Sequence, residues 1–332
     1  MKISRNLKLL FYCLIFYVII FLLNRYNIIN DYILHIINLS LVYVILTVSL
    51  NLINGFTGQF SIGHMGFAAV GAYISGIFTT LIWKINPSNP INYLLFFVAL
   101  IIGSIAAGII GFLLGLPTLR LRGDYLAIVT LGFGEIIRTI INNIDYVGGP
   151  RGLLGIPKFS NFTIIFIITV ISVLVIRNIV FSTQGRAFKS IREDQIASEL
   201  VGVNTTIYKV YAFTIGAFFA GLAGGLLCHL LQIAHPTQYG FMGTIFVLVM
   251  VYAGGMGSIT GSIIAAFGLT FMSEGLRLLL KWIDDLTPNF PVGIEWRMVI
   301  YAALLIVIML YRTEGLMGKR EFKILVPEEE EK

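Results

Sequence analysis

Charge is scarce in this chain of 332 residues. Only 12% of the residues are charged, whereas 57% are hydrophobic, and the mean hydropathy is +0.89. Soluble domains carry about 25% charged residues, so this composition excludes an ordinary soluble fold and is typical of an integral membrane protein. Because apolar runs fill most of the length, no room remains for a separate soluble catalytic domain.

Cysteine and histidine are also scarce. The two cysteines, Cys13 and Cys228, lie far apart within apolar runs and are interpreted as free buried thiols. The four histidines are scattered over different segments, so we interpret them as satisfied buried or interfacial side chains: His35, His64, His229 and His235. The sequence therefore predicts no metal site and no disulfide framework.

Catalytic motifs are missing as well. The chain has no G-x-x-x-x-G-K-[ST] phosphate loop, so it is not itself an ATPase, and it has neither H-E-x-x-H nor G-x-S-x-G. Its net charge of +6 comes from cations at the ends of apolar runs, where they orient spans, and is not a nucleic-acid footprint. We expect no catalytic residue, no cofactor held by this chain and no nucleic-acid partner.

Long apolar runs are abundant. A bilayer core of about 30 Å needs roughly 20 apolar residues per helix. The expected fold is an all-α polytopic transmembrane bundle, a single domain over 1–332, with about ten spans (8–10). The first and eighth runs are short, and the eighth also fits a broken or re-entrant helix. The ten runs are 9–23, 32–53, 66–83, 92–116, 125–142, 162–181, 209–231, 240–255, 258–280 and 296–311.

The cations give these spans an orientation. With the N-terminus inside, the outer segments hold five cations: Arg25, Lys84, Arg151, Lys158 and Lys281. The inner segments hold fifteen: Lys2, Arg5, Lys8, Arg120, Arg122, Arg177, Arg186, Lys189, Arg192, Lys209, Arg312, Lys319, Arg320, Lys323 and Lys332. This bias predicts that both termini, the loop 182–208 and the tail 313–332 are cytoplasmic.

The loop 182–208 is polar, charged and helical by propensity, and it ends near a glycine. A solvated linker is the simpler interpretation. The alternative is a helix that docks on an external motor, for which we name these residues: Arg186, Arg192, Glu193, Asp194, Ala197, Glu199 and Gly202.

Two Gly-rich interruptions, 55–61 and 254–260, share one pattern of Gly, two residues, Gly, polar, apolar, hydroxyl. Matching breaks in two halves of a transporter indicate a translocation path, although two tight turns are an equal alternative. The path residues that we name here are Gly55, Gly58, Gln59, Ser61, His64, Gly254, Gly257 and Ser258.

Two acid–base pairs lie inside predicted spans, Glu135 with Arg138 and Glu274 with Arg277. Each pair is spaced i, i+3, so the two side chains share a helix face and can neutralise each other. Charges within spans are costly and often functional. Structural pairing is the preferred interpretation. In the other, Glu135 faces the ammonium group of an amino acid and Arg138 its carboxylate.

Small residues recur at four-residue spacing in two spans: Ala107, Gly111 and Gly115, and Ala217, Gly221 and Gly225. Such rows allow helix backbones to approach closely in a membrane. Packing inside the bundle is preferred here over a dimer seam.

Several motifs together carry a family resemblance. The segment 196–202, IASELVG, resembles the EAA-type loop of ABC importer permeases. Further motifs resemble those of the branched-chain amino-acid permeases, most closely the M-type subunit: Asn51-Leu52, Gly55, 58–64, 116–131, 185–187, 191–194, 217–224 and 254–258. The segment 148–153 fits only loosely, with Arg151 where a smaller or polar residue is expected.

The resemblance implies a permease subunit of an ATP-driven importer in the cytoplasmic membrane. The implied partners are a second, homologous permease subunit, two ATPase subunits that bind the ATP, and an extracytoplasmic substrate-binding protein. The expected cargo is a branched-chain amino acid. Alternatives are a urea or short-chain amide permease, a sugar importer, an ATPase-independent secondary transporter and, least favoured, a membrane enzyme.

Overall fold

A computed structural model describes most of the chain. The residues described are 5–26, 28–118, 124–286, 296, 299–300, 303, 306, 311, 314–318, 320–322 and 325–326. The expected all-α fold is confirmed. Within these ranges the α-helices are α1 Arg5–Arg25, α2 Asp31–Asn51, α3 His64–Ile77, α4 Pro90–Thr118, α5 Asp124–Asn142, α6 Phe162–Val180, α7 Thr183–Glu193, α8 Gln195–Leu200, α9 Thr205–Leu231, α10 Phe241–Gly254 and α11 Ile259–Leu286.

Seven of the described helical segments are long and apolar enough to cross a membrane. They are Asp31–Phe56, His64–Ile82, Pro90–Leu116, Tyr125–Asn142, Phe162–Val180, Thr205–Leu231 and Ile259–Trp282. Two further apolar helices, Phe11–Arg25 and Phe241–Gly254, are shorter. These nine correspond to nine of the ten predicted runs. Most of the tenth run, 296–311, lies outside the described residues, as do 119–123 and 287–295.

The centre of the bundle is α9, which packs against α3, α4 and α2. The two rows of small residues face each other there. A Cβ atom on Gly111 would collide with the side chain of Ala217, and one on Gly221 would lie 2.5 Å from Cβ of Ala107. Close packing of these rows inside the bundle is therefore the correct interpretation, and the rows are not available as a dimer seam.

A small cap closes the end of the bundle where α5, α6, α9 and α10 have their loops. Strands β1 Leu153–Leu154 and β2 Ile233–Ala234 pair antiparallel in it. The hydroxyl of Tyr73, on α3, donates to the carbonyl oxygen of Ala234 at 2.7 Å and ties this cap to the core. A short 3-10 turn, Pro236–Tyr239, then leads directly into α10.

Candidate functional site

The first break, residues 55–61, obtains several of its hydrogen-bond partners from residues close to it in the chain. After α2 the chain forms a π-helical turn, Leu52–Phe56, and then leaves helical geometry. The amide of Asn54 donates to the carbonyl oxygen of Ser61 and accepts from its N–H, both at 3.2 Å. The hydroxyl of Thr57 donates to the carbonyl oxygen of Leu52 at 2.8 Å. Non-helical backbone within a membrane protein requires such internal partners.

The second break, residues 254–260, obtains its partners from the C-terminal part of the chain. The N–H groups of Leu316 and Met317 donate to the carbonyl oxygens of Ala253 and Gly254, at 2.8 and 3.1 Å. The hydroxyl of Ser258 donates to the carbonyl oxygen of Arg320 at 2.8 Å. The described residues of 314–326, which we call the C-terminal strap, therefore replace hydrogen bonds that α10 loses at its end.

Glu321 of this strap caps α11. Its carboxylate accepts hydrogen bonds from the N–H groups of Ile259 and Thr260, the latter at 2.9 Å, and from the Thr260 hydroxyl. A carboxylate is favourable at this position because the first N–H groups of a helix are unpaired and carry partial positive charge. Nearby, Nε of the buried Arg177 donates to the carbonyl oxygen of Leu325 at 2.6 Å and joins the strap to α6.

The two breaks meet through Asn51, the fully buried last residue of α2. Its Oδ1 accepts from the N–H of Gly257 at 2.9 Å, and its Nδ2 donates to the carbonyl oxygen of Ser258 at 2.9 Å. The same Nδ2 lies 2.7 Å from the hydroxyl of Ser262. One amide side chain thus uses both its donor and its acceptor to hold two segments that are more than 200 positions apart in the chain.

Arg192, near the end of α7, lies against both breaks. Its guanidinium donates to the carbonyl oxygen of Gly55 at 3.0 Å and pairs with Glu193 at 2.7 Å. A Cβ atom on Gly257 would lie 2.6 Å from the guanidinium, and one on Gly58 would lie 2.9 Å from Cγ of Arg192. Both glycines have positive φ, +72° at Gly58 and +85° at Gly257. We call Asn51, Gly55, Arg192 and Gly257 the loop junction.

Helices α7 and α8 form the polar loop beside this junction. The buried face of α7 includes Phe188, whose ring packs on Tyr208 and Tyr211 of α9. Asp194 ends α7 and caps α8, accepting from the N–H groups of Ile196 and Ala197 at 2.8 and 3.0 Å. The loop is therefore a folded pair of helices anchored to α9.

The pair Glu135–Arg138 lies at the opposite end of α10. The two side chains form the expected ion pair at 2.7 Å, and Glu135 also accepts from the N–H of Phe241, the first residue of α10, at 3.1 Å. The fourteen residues of α10 place this pair about 20 Å from the second break. The expected pair Glu274–Arg277 forms at 2.8 Å, and both residues bond the hydroxyl of Tyr32 at 2.6 Å.

Comparison with known proteins identifies the family of this chain. Residues 32–309 match the family model described as branched-chain amino acid transport system / permease component. The chain belongs to this permease family. It is therefore a multi-pass subunit of a membrane-embedded transport assembly and not itself an enzyme.

The permease is similar to the high-affinity branched-chain amino acid transport system permease protein LivM of Escherichia coli (strain K12), with 35% identity over 314 residues, covering 84% of this chain and 68% of LivM. It is 26% identical over 194 residues to LivH of the same strain, covering 58% and 59%. A probable LivM of Methanocaldococcus jannaschii is 24% identical over 317 residues, covering 84% and 91%. No solved structure matches the chain significantly.

Several of the named path residues meet at the loop junction or beside it. Gly55, Gly58, Gly257 and Ser258 lie within reach of Asn51 or Arg192, as described above, and Gly254 bonds the strap. Gln59 and Ser61 are buried within the first break, and His64 is buried just after it. His64 lies 2.9 Å from the hydroxyl of Ser49, and no partner is described for its Nδ1. Glu135 and Arg138 form a separate group.

The charged residues named for motor docking are mostly used within the loop. Arg192 reaches inward, Asp194 caps α8, and Glu199 accepts from Gln195 at 3.0 Å and Thr205 at 2.6 Å. Arg186, Glu193, Ala197 and Gly202 are exposed. Their docking role stays a prediction.

The exposed surface of the loop includes three large apolar residues. Ile196, Leu200 and Val201 are 60%, 83% and 78% exposed, and we call these three residues the loop tip. Sequence reasoning missed this tip, although three large apolar residues within a polar loop were a usable signal. It also missed Asn51 as a bridge and Glu321 as a cap, since their partners are remote in the chain.

Proposed function

We propose that this permease imports branched-chain amino acids across the cytoplasmic membrane, driven by ATP hydrolysis in separate subunits. The names of its relatives support the cargo. The proposed assembly contains a second homologous permease subunit, two ATPase subunits that bind the ATP, and an extracytoplasmic substrate-binding protein. The permease itself holds no cofactor and contributes part of the path.

The proposed topology has ten spans and cytoplasmic termini. The seven long spans, the two shorter helices and the apolar run 296–311 add up to this number. The excess of lysine and arginine on one side supports the orientation. With it, α7, α8, the loop junction and the C-terminal strap all face the cytoplasm, where ATP is available.

The proposed coupling to ATP hydrolysis rests on the hydrogen bond from Arg192 to the carbonyl oxygen of Gly55. It joins the motor-facing loop to the first break, and Asn51 joins that break to the second. When the ATPase subunits move the loop, this connection transmits the displacement to the ends of α2, α10 and α11. These ends then open or close the cytoplasmic side of the path.

The loop tip is the proposed docking surface for an ATPase subunit. Its three large apolar side chains, Ile196, Leu200 and Val201, suit burial in a groove. Gly202 follows them with a φ of +87°, and a Cβ atom added to it would meet no other atom within 4 Å, which leaves room for close approach. Glu193 and Ala197 flank the contact.

The pair Glu135–Arg138 is the proposed cargo contact on the outer half of the path. Both side chains are about one-third exposed, at 36% and 35%, and they lie beside the N-terminus of the half-length helix α10. Such a helix end favours a carboxylate. Arg138 would bind the carboxylate of an amino acid and Glu135 its ammonium group.

Uptake into proteoliposomes tests the function. The complete assembly, supplied with ATP on the ATPase side and with binding protein on the other, should accumulate radiolabelled leucine, isoleucine and valine. ATP must be required. Accumulation without ATP would identify a secondary transporter, and uptake of urea or short-chain amides in place of leucine would assign a different cargo.

Affinity purification tests the loop tip. Leu200→Asp should abolish co-purification of the ATPase subunits, because a charge enters the apolar contact. Asn204→Asp is the matched control, since it adds the same charge four residues away and keeps a side chain able to cap α9. Full retention of the ATPase by Leu200→Asp would contradict the docking surface.

A further inference from the structure

A cavity of about 300 Å³ lies between the polar loop and the first break. Residues 57–60 of the break form one wall, and residues 191 and 194–196 of the loop form the opposite wall, with Leu126 and Lys209 completing it. Its size is at the lower end of ligand pockets, which hold about 300–1,000 Å³. It therefore suits a small molecule.

The floor of the cavity is buried and contains an unsatisfied acceptor. Gln59 is 3% exposed, and its Oε1 has no hydrogen-bond partner among the described residues. Its Nε2 donates weakly, at 3.4 Å, to the carbonyl oxygen of Lys209. Buried polar atoms are nearly always paired, so an unpaired acceptor on a side chain that lines a cavity is a candidate partner for a donor that a ligand or water supplies.

Two residues of opposite charge line this cavity. Lys209 is buried, at 8% exposed, and its ammonium group donates to Oε1 of Gln195 at 2.6 Å. Asp194 is exposed, and its Oδ1 accepts from the N–H groups of Ile196 and Ala197. The lining also includes apolar side chains, namely Phe60, Leu126, Ile191 and Ile196.

We propose that this cavity binds a free α-amino acid with an aliphatic side chain. The carboxylate of the ligand faces Lys209, its ammonium group donates to Gln59 and faces Asp194, and its side chain contacts the apolar wall. The assignment rests on the proposed function for the identity of the ligand, which would be delivered cargo returning from the cytoplasm.

Occupancy of the cavity has a mechanical consequence. One ligand touches both the loop and the first break, so it stabilises the separation at which both walls fit. A change in that separation during transport then requires the ligand to leave. Accumulated cargo would therefore slow further import at the permease itself.

Preloaded vesicles test this effect. Proteoliposomes containing the complete assembly, with its ATPase face inside, are filled with ATP and either buffer or unlabelled leucine, and the initial uptake of radiolabelled leucine is measured. Leucine inside should slow uptake at least threefold. Isoamylamine, which lacks the carboxylate, and 4-methylpentanoate, which lacks the ammonium group, should leave the rate unchanged. Equal slowing by all three compounds, or by none, would overturn the proposal.

Equilibrium dialysis locates the site. Radiolabelled leucine should bind the detergent-solubilised complex without its binding protein, and Lys209→Met and Gln59→Leu should each weaken binding about tenfold. Leu126→Phe should weaken it by filling the cavity without removing a polar group. Gln184→Leu, in the first turn of α7 and outside the cavity, should bind as wild type does.

Failure of the proposed function and failure of the proposed site give different results. If no vesicle accumulates leucine, the proposed function fails. If empty vesicles accumulate leucine but preloading has no effect, or if the cavity variants bind leucine as tightly as wild type does, only the site fails.

Discussion

The two glycine breaks have the same sequence pattern and different support. The first, 55–61, is held by side chains within five or seven positions, such as Asn54 and Thr57. The second, 254–260, is held by the C-terminal strap about 60 positions away. The polar loop donates a hydrogen bond to the first, from Arg192 to Gly55. The comparison shows that the first break is bonded to the polar loop and the second is anchored to the tail.

Removing the bridge between the breaks should have the largest effect. Asn51→Leu leaves the N–H of Gly257 and the carbonyl oxygen of Ser258 without this partner inside the bundle. We expect a loss of about 2–4 kcal/mol of stability. Thermal melting of the solubilised permease measures it.

Asn38→Leu is the matched control for Asn51→Leu. Asn38 is also buried in α2, but no partner is described for its Oδ1, so the substitution should cost less than about 1 kcal/mol. Equal destabilisation by the two variants would mean that Asn51 is an ordinary buried amide.

Adding a methyl group at the first break should have an intermediate effect. Gly58→Ala combines strain at positive φ with a contact at 3.2 Å to Cα of Arg192, and should cost about 2–3 kcal/mol. Gly202→Ala has a similar φ and no neighbour within 4 Å, so it measures the strain alone, about 1 kcal/mol. Melting temperatures of both variants separate the two costs. Identical melting temperatures of the two variants would show that the contact with Arg192 adds no cost to Gly58→Ala.

Removing the Glu321 cap of α11 should destabilise the permease least and should affect only the second break. Glu321→Ala deprives α11 of its N-terminal carboxylate and should cost about 1–2 kcal/mol. Hydrogen exchange should quicken at residues 259–262 and stay unchanged at 55–61. Glu314→Ala, at an exposed position of the same strap, serves as the control. Faster exchange at both breaks would show that the tail supports them jointly.

Much of the fold follows from local sequence signals. Apolar runs predicted the nine apolar helices found among the described residues, because lipid demands a continuous hydrophobic helix. Glycine spacing predicted both breaks, and small-residue spacing predicted that α4 and α9 pack closely inside the bundle. The sequence predicted the start of α9 at 209, four residues after its actual start at Thr205. The polar side chains in the first turn of this helix are typical of a loop.

The connections between these parts could not be predicted in the same way. Nothing near Asn51 in sequence identifies Gly257 as its partner, because the contact exists only once α2 and α10 are packed. Charge in the polar loop suggested intermolecular contacts, whereas Asp194 and Glu199 bond inside it. Short polar side chains satisfy local backbone groups first, and composition alone does not reveal which remain available.

The most direct test of the central claim separates ATP hydrolysis from uptake. Arg192→Met removes the hydrogen bond to Gly55 while keeping a long side chain, so the assembled transporter should still hydrolyse ATP but import at least about tenfold less leucine per ATP. Gln184→Met, at an exposed position of α7 that is not named for docking, should retain the wild-type ratio. An unchanged ratio of leucine to ATP in Arg192→Met would contradict transmission through the loop junction.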